Sequence, residues 1–201
     1  MGTAWKARWI STPLYGSRSR GVQVPILRRE FIVDERPASA RLVVACLGDY
    51  RVWANGTRLS GGPSSPVWGD YTREAYYQTY DVTGIVEAGP NSLAILLADG
   101  IYSGLLPESG RGVYSHRPML MAQLHVQDEQ GVESLIVTDH QWHWHTSWLL
   151  GSELNGGEDV DGRQQIAAWS EPGSTNCFGP RLTWLKMCKS IRLLRCFQWI
   201  E

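Results

Sequence analysis

The fold class is decided by residues 50–60, YRVWA-NG-TRLS, in which Asn55-Gly56 separates two short β-prone runs. An Asn-Gly pair between such runs predicts a β-hairpin, because the type I′ turn that joins antiparallel strands needs positive φ at both central residues. Asn55, Gly56 and Thr57 also form an N-glycosylation sequon, but the start of the sequence, MGTAWKARWI, lacks the apolar run of a signal peptide. We therefore interpret Asn55-Gly56 as a turn.

Short apolar runs separated by turns continue on both sides of this hairpin. They are residues 26–33 (ILRREFIV), 41–47 (RLVVACL), 76–82, 92–98 (SLAILLA), 119–126, 134–138 and 141–146. Residues 119–126 and 134–138 flank a polar turn and predict a second hairpin, and residues 141–146 predict an edge strand. Many short strands joined by turns predict an all-β, jelly-roll-like antiparallel β-sandwich.

Two turn-rich segments predict loops between these strands. Residues 61–70 (GGPSSPVWGD) are rich in Gly, Pro and Ser, and residues 100–117 form a Gly-containing segment longer than a simple connection needs. Long loops often carry binding residues. The ten Trp and eight Tyr fit either the sandwich core or stacking on sugar rings, and we expect the core to take most of them.

The composition excludes several classes of protein. With 43% hydrophobic and 19% charged residues the chain is predicted to be globular, and its net charge of −1 offers no basic surface to nucleic acid. No run approaches the ~18–20 apolar residues that cross a bilayer, so we expect no membrane partner. As written, without a signal peptide, the product is expected to be cytoplasmic, or extracellular if the start is incomplete. The four cysteines include no C-x-x-C pair and are predicted to be reduced thiols.

The sequence predicts three parts: an N-terminal arm (1–23), the β-sandwich (24–172) and an anomalous, irregular or helical tail (173–201). In the tail the strand-like alternation fades, and three of the four cysteines crowd together. Residues 190–200 (SIRLLRCFQWI) fit a short amphipathic docking helix. The alternative, which we favour, is that the tail comes from a frameshift or from intron read-through.

Five motifs, in order, resemble the N-terminal accessory domain of bacterial and fungal α-L-rhamnosidases, glycoside hydrolase family 78. The motifs are Arg28-Arg29-Glu30-Phe31, residues 40–56 with Leu47-Gly48, Tyr50 and Ala54-Asn55-Gly56, residues 68–83 (from WGDY to YQTYDVT), residues 98–104 (ADGIYSG) and residues 157–163 (GEDVDGR). Ile101, Val160 and Gly162 stand where the family has an aromatic residue, Tyr and Ala. The resemblance covers about residues 5–172 and implies a galactose-binding-like sandwich.

The resemblance implies that catalysis belongs to a downstream (α/α)6 barrel carrying a general acid and a general base. Inverting glycoside hydrolysis needs two carboxyls ~6.5–9.5 Å apart around a water molecule, and the tail offers no sequence for such a barrel. We therefore predict no catalytic residue and an accessory, substrate-recognition module, inactive alone, whose partner is the catalytic domain of a full-length relative. Two alternatives stay open: a stand-alone carbohydrate-binding module for L-rhamnose or rhamnosides, and a complete small glycoside hydrolase.

The resemblance also implies where a sugar would bind. Some family members bind L-rhamnose with the help of calcium, which prefers about six to eight oxygen ligands. The predicted carbohydrate site contains Trp68, Asp70, Tyr71, Asp99 and Tyr102, with Asp99 as the candidate calcium ligand. The alternative is that Asp99-Gly100 is simply a turn and that Trp68 covers the edge of the sandwich.

Two further polar groups attract attention. Glu158, Asp161 and Arg163 are predicted to form an ion-pair and hydrogen-bond network at the boundary with a neighbouring domain. His143 and His145 share one face of a strand, and His140 has the opposite parity. Because zinc takes about three or four protein ligands, we interpret the histidines as alternating positions of one strand rather than as a metal site.

Overall fold

The structure, a computed structural model, describes residues 5–14, 22–59, 68–174, 179–184 and 192–195, and β-strands account for about half of these residues. The first half of the chain contains β1 (Ile10–Ser11), β2 (Pro25–Val33), β3 (Ser39–Leu47), β4 (Asp49–Ala54), β5 (Thr57–Arg58), β6 (Glu74–Asp81), β7 (Gly89–Ala98), the helix α1 (Gly100–Ser103), β8 (Leu105–Leu106) and β9 (Gly110–Arg111). The second half contains β10 (Met119–Gln127), β11 (Glu133–Val137), β12 (His143–Thr146), β13 (Leu149–Glu153), β14 (Gly157–Val160), a 3₁₀ turn (Gly162–Gln164), β15 (Thr183–Trp184) and β16 (Arg192–Arg195).

Two sheets enclose the core. The larger sheet has the order β15-β1-β10-β3-β6-β16, with β11 also paired to β10, and the smaller has the order β12-β2-β7-β4-β5. Leu42, Val44 and Cys46 of β3 point into the space between the sheets and pack with residues of the smaller sheet such as Leu27 and Ile95. The prediction of an all-β antiparallel sandwich is confirmed, and only the β16–β6 pair among the described ladders is parallel.

Strand β3 is apolar at consecutive positions because other side chains cover both of its faces. Residues that alternate with the core positions, Val43 and Ala45, point outward and pack against Trp5, Trp9 and neighbouring side chains. A strand covered on both faces gains from apolar residues at every position, whereas a half-exposed strand alternates. Strand β3 accordingly lies inside the larger sheet, between β10 and β6.

Both predicted hairpins are present. In the first, Ala54 of β4 pairs with Thr57 of β5, and the two turn residues Asn55 and Gly56 have φ values of 47° and 79°. These positive φ values are the ones that a type I′ turn requires. In the second, β10 and β11 pair from Gln123↔Val137 to Gln127↔Glu133.

The segment predicted as a long loop, residues 100–117, contains regular structure, so that prediction is wrong in its detail. It holds α1 and the small β8–β9 hairpin, whose strands pair at Leu105↔Arg111 and Leu106↔Gly110. Gly110, at φ 80°, allows the tight return that local composition alone did not reveal. Most of the other predicted loop, residues 61–67, lies outside the described residues.

The ends of the chain contribute strands to the larger sheet. Strand β1 pairs with both β10 and β15, so the predicted arm and the predicted tail meet beside the same sheet. Leu182 is buried and its amide donates to the Trp142 carbonyl at 2.8 Å. The division at residues 23 and 172, and the read-through hypothesis for the tail, stay predictions.

The predicted helix at residues 190–200 is wrong for the four residues that the structure describes there. Residues 192–195 form β16, which lies parallel to β6 with Leu193 opposite Ala75. Strand β6 would otherwise present unpaired backbone N–H and C=O groups at the sheet edge, and an extended neighbour satisfies them. The remaining residues of that predicted helix lie outside the described part of the chain.

No helix in the described residues is both long enough and apolar enough to cross a membrane.

Candidate functional site

Three tyrosines meet at the end of the sandwich where β3 and β7 finish. The Tyr71 ring lies 5.3 Å from that of Tyr102 and 5.2 Å from that of Tyr114, both edge-on, and Tyr102 and Tyr114 are stacked. Tyr71 and Tyr102 are buried, and burial raises the pKa of both phenols. The structure thus joins two residues of the predicted carbohydrate site, with their rings packed inside the protein.

Asp99, the predicted calcium ligand, is 1% exposed. Its Oδ2 accepts a hydrogen bond from the Val22 amide at 2.8 Å, and its Oδ1 accepts one from the Ser103 hydroxyl at 2.8 Å. Burial raises the pKa of this carboxyl, while the bonds from Val22 and Ser103 and the charge of Arg111 oppose the rise. In this arrangement Asp99 ties residue 22 to α1 and faces the protein interior.

Trp68 and Asp70 are the two members of the predicted carbohydrate site that face solvent. The Trp68 side chain is 59% exposed. Asp70 accepts from the amide of Thr72 at 3.0 Å and from its hydroxyl at 2.5 Å, and these bonds lower the pKa of the carboxyl. Sugar binding at the five residues stays a prediction, with Trp68 and Asp70 as the accessible part.

Calcium binding by Asp99 also stays a prediction. Within the described ranges, no three His, Cys, Asp or Glu side chains come together as a metal-binding group.

His143 and His145 lie on β12, and each has a backbone partner for its Nδ1: the Gly179 carbonyl at 2.8 Å and the Thr146 carbonyl at 2.6 Å. His143 therefore links β12 to residue 179, whereas His145 bonds to the next residue of its own strand.

The predicted network of Glu158, Asp161 and Arg163 is divided into two groups. Arg163 binds Asp161 through Nε at 2.8 Å and through an η nitrogen at 2.9 Å, and these bonds lower the pKa of Asp161 to about 2. Glu158 instead pairs with Arg51 and accepts from the Ser152 hydroxyl at 3.2 Å. The structure brings Asp161 and Arg163 together on the surface, apart from Glu158.

An ion pair that the sequence did not reveal joins two small hairpins. Arg111 at the end of β9 pairs with Glu153 at the end of β13, and both side chains are 9% exposed. Beside them, the Asn155 amide donates to the Leu105 carbonyl at 3.0 Å. The partners lie more than forty residues apart in sequence, so local spacing carries no signal for this contact.

An open cleft of about 270 Å³ lies at the other end of the sandwich, beyond the end of β2 and the start of β11. Its walls include Ile32, Val126, Val132, Asp34, Glu35 and Asp128. No short stretch of sequence carries a signal for this cleft, because its walls come from segments that meet only in the folded chain.

Known proteins resemble this chain in both sequence and structure. The family model for the α-L-rhamnosidase N-terminal domain matches residues 35–181. An α-L-rhamnosidase of Streptomyces avermitilis is 37% identical over 148 residues, which are 73% of this chain and 14% of that protein. The structure of an α-L-rhamnosidase from Aspergillus terreus superposes with a TM-score of 0.85 at 30% identity, covering 94% of this chain and 22% of that one. A Streptomyces avermitilis α-L-rhamnosidase structure, solved in complex with L-rhamnose, matches at 31% identity with a TM-score of 0.77, covering 86% and 17% of the two chains.

Proposed function

Because this chain belongs to the α-L-rhamnosidase N-terminal domain family, we propose that it is an accessory β-sandwich that packs against the catalytic domain of an α-L-rhamnosidase. In that position it helps to shape the entrance for a rhamnosylated substrate. One observation carries the proposal: the match spans 73% of this chain but only 14% of the Streptomyces relative, so most of such an enzyme lies outside the matched sandwich.

The surface carboxyls support an accessory role rather than a complete hydrolase. Glycoside hydrolysis needs a general acid whose pKa is raised, and a second carboxyl across a gap of ~5–10 Å. The pKa of Asp161 is instead lowered to about 2 by its bonds to Arg163 and Gln164. Glu158 is bound by Arg51 on the flank of the smaller sheet. Asp161 therefore lacks the environment of a proton donor to a leaving group.

The β13–β14 hairpin and the 3₁₀ turn after it form the surface that we assign to domain contact. Leu154, in the turn of this hairpin, is 64% exposed, and Val160, which precedes the Asp161–Arg163 pair in sequence, is 57% exposed. Apolar side chains that solvent reaches, flanked by charged groups, are typical of a contact surface.

A domain replacement tests the accessory role. The N-terminal domain of the Streptomyces avermitilis enzyme is exchanged for this chain and, in a second variant, deleted. We expect the exchanged enzyme to hydrolyse an aryl rhamnoside and to unfold at a higher temperature than the deleted one, and this chain alone to show no turnover. Turnover by the chain alone that disappears with Glu158→Gln or Asp161→Asn contradicts the proposal.

A matched pair of substitutions tests the assigned surface. Val160→Glu in the exchanged enzyme should lower its unfolding temperature, because a carboxylate would be buried against the catalytic domain. Val132→Glu is the control: Val132 is 63% exposed at the opposite end of the sandwich, so the same change there should have no effect. Equal effects of the two substitutions would remove this surface from the proposal.

A second function, calcium-assisted binding of L-rhamnose by the chain itself, has its support in Trp68. The exposed indole of Trp68 offers a stacking face to a pyranose ring, and the exposed carboxylate of Asp70, two residues along the chain, offers a partner to its hydroxyls. Titration of the chain with L-rhamnose, with and without calcium, tests this function. Saturable binding that Trp68→Ala abolishes supports it, and no signal at millimolar sugar removes it.

A further inference from the structure

The chain contains two Asn-Gly dipeptides, Asn55-Gly56 and Asn155-Gly156, and Asn-Gly is a chemically reactive pair. The amide nitrogen of the glycine can attack the Asn side-chain carbonyl carbon, because glycine has no Cβ to hinder the approach. The new C–N bond closes a succinimide ring while the Cγ–Nδ2 bond breaks and ammonia leaves. Water then opens the ring to aspartate or isoaspartate, so water is the only co-reactant.

In the first dipeptide both reacting groups are held by hydrogen bonds. The side-chain nitrogen Nδ2 of Asn55 donates to the Ile85 carbonyl at 2.8 Å and to Asn91 Oδ1 at 2.7 Å. The side-chain oxygen Oδ1 of Asn55 accepts from the backbone amide of Ser92 at 2.8 Å. The nucleophile, the Gly56 amide, donates to the Ser170 carbonyl at 3.0 Å. Ring closure here needs these contacts to open first.

The second dipeptide is exposed at both residues. The side-chain nitrogen Nδ2 of Asn155 makes a single hydrogen bond, to the Leu105 carbonyl at 3.0 Å. Within the described chain, neither Asn155 Oδ1 nor the Gly156 amide has a hydrogen-bond partner. We propose that Asn155 is a site of spontaneous deamidation and that the fold protects Asn55 from the same reaction.

Deamidation of Asn155 has a structural consequence. The resulting carboxylate cannot donate to the Leu105 carbonyl, and it adds a negative charge two residues from Glu153, which is already paired with Arg111. The link between the β8–β9 and β13–β14 hairpins is then weakened. Isoaspartate additionally lengthens the main chain in the turn by one methylene.

The experiment compares the two dipeptides within one protein. The purified chain is incubated in mildly alkaline buffer, folded or in denaturant, and peptide mass mapping follows the conversion of amide to acid. In the folded chain Asn155 should convert at least about tenfold faster than Asn55, and in denaturant the two rates should converge.

Two outcomes decide the proposal. The Asn155→Gln variant should lose the fast conversion and keep the slow one, which assigns the product to this residue. Equal rates at Asn55 and Asn155 in the folded chain, or faster conversion at Asn55, would overturn it.

Discussion

The hairpins β4–β5 and β13–β14 each contain an Asn-Gly pair at the turn, yet their surroundings differ. Asn55 is half-buried, and its side chain makes three hydrogen bonds to groups of β7 and the turn before it. Asn155 is exposed and makes one, to the neighbouring β8–β9 hairpin. One turn is built into the sandwich, whereas the other projects from it.

The difference teaches that a turn dipeptide specifies a bend but not what the bend is attached to. Asn55 connects residues 85, 91 and 92, and Gly56 connects the turn to Ser170. All of these partners are distant in sequence. The same side chain, placed on a projecting hairpin, finds one partner and remains accessible to solvent.

The largest expected difference between the hairpins comes from removing each Asn side chain. Asn55→Gly keeps the backbone free to adopt φ 47° but leaves the Ser92 amide and the Asn91 amide oxygen without this partner, so we expect a loss of about 2–4 kcal/mol. Asn155→Gly should cost less than about 1 kcal/mol, because its single bond is exposed to water. Urea unfolding of both variants measures the two values.

Equal losses in that experiment would show that solvent replaces the contacts of Asn55 as readily as that of Asn155. The additional hydrogen bonds of Asn55 would then add nothing to the free energy of unfolding beyond what the single bond of Asn155 contributes.

Replacing one glycine in each hairpin should remove the difference. Gly56 and Gly157 have φ values of 79° and 76°, and a side chain in that region costs about 1–2 kcal/mol. Gly56→Ala and Gly157→Ala should therefore destabilise the chain similarly, with a small addition at Gly56, where a Cβ would lie 3.1 Å from Glu171 Cγ. A large excess at Gly56 in thermal or urea unfolding would mean that its surroundings, rather than its φ, set the cost.

The ion pair between the β4–β5 and β13–β14 hairpins, Arg51–Glu158, should contribute less to the free energy of unfolding. Glu158 of β14 binds Arg51 of β4, and each side chain is about a third exposed. Water and salt screen such a pair, so Glu158→Gln should cost about 0.5 kcal/mol. The same substitution measured in high salt should cost less still. A salt-independent cost would indicate that Glu158 acts through Ser152 rather than through Arg51.

The smallest expected effect is the pH dependence that Asp161, which follows β14, gives to the free energy of unfolding. Asp161 is bound by Arg163, and its pKa is lowered from 3.8 to about 2. A carboxyl with a lowered folded pKa stabilises the fold above its unfolded pKa and loses that contribution as the pH falls through the folded value. The stability difference between the chain and Asp161→Asn should therefore shrink between pH 4 and pH 2. A difference that stays constant over this range would contradict the role of the charge.

The strands were largely predictable because their signals are local. A window of about ten residues is enough to predict each of them: an apolar run predicts β2, β3, β7 and β10, and the Asn55-Gly56 pair predicts its turn. The β8–β9 hairpin and strand β16 were missed, since two- and four-residue strands carry almost no period. Strand β16 in particular depends on the open edge of β6.

The candidate site was predictable only in part. The sequence placed Tyr71 and Tyr102 in one group, and their rings are in contact. It could not state that Asp99 turns inward to the Val22 amide, or that Glu158 chooses Arg51 over Arg163. Burial and choice of partner depend on which strands become neighbours, and that information is absent from any short window of sequence.

The sequence by itself determined the all-β sandwich, the β4–β5 and β10–β11 hairpins and the family, because strand period, turn dipeptides and ordered motifs are properties of nearby residues. The tertiary structure alone decided which side chains are buried, which are exposed and which are paired. The reason is physical: the side-chain hydrogen bonds of Asn55, the bond from the Val22 amide to Asp99 and the Arg111–Glu153 pair all join residues thirty or more positions apart. Such contacts exist only after the two sheets have closed on each other.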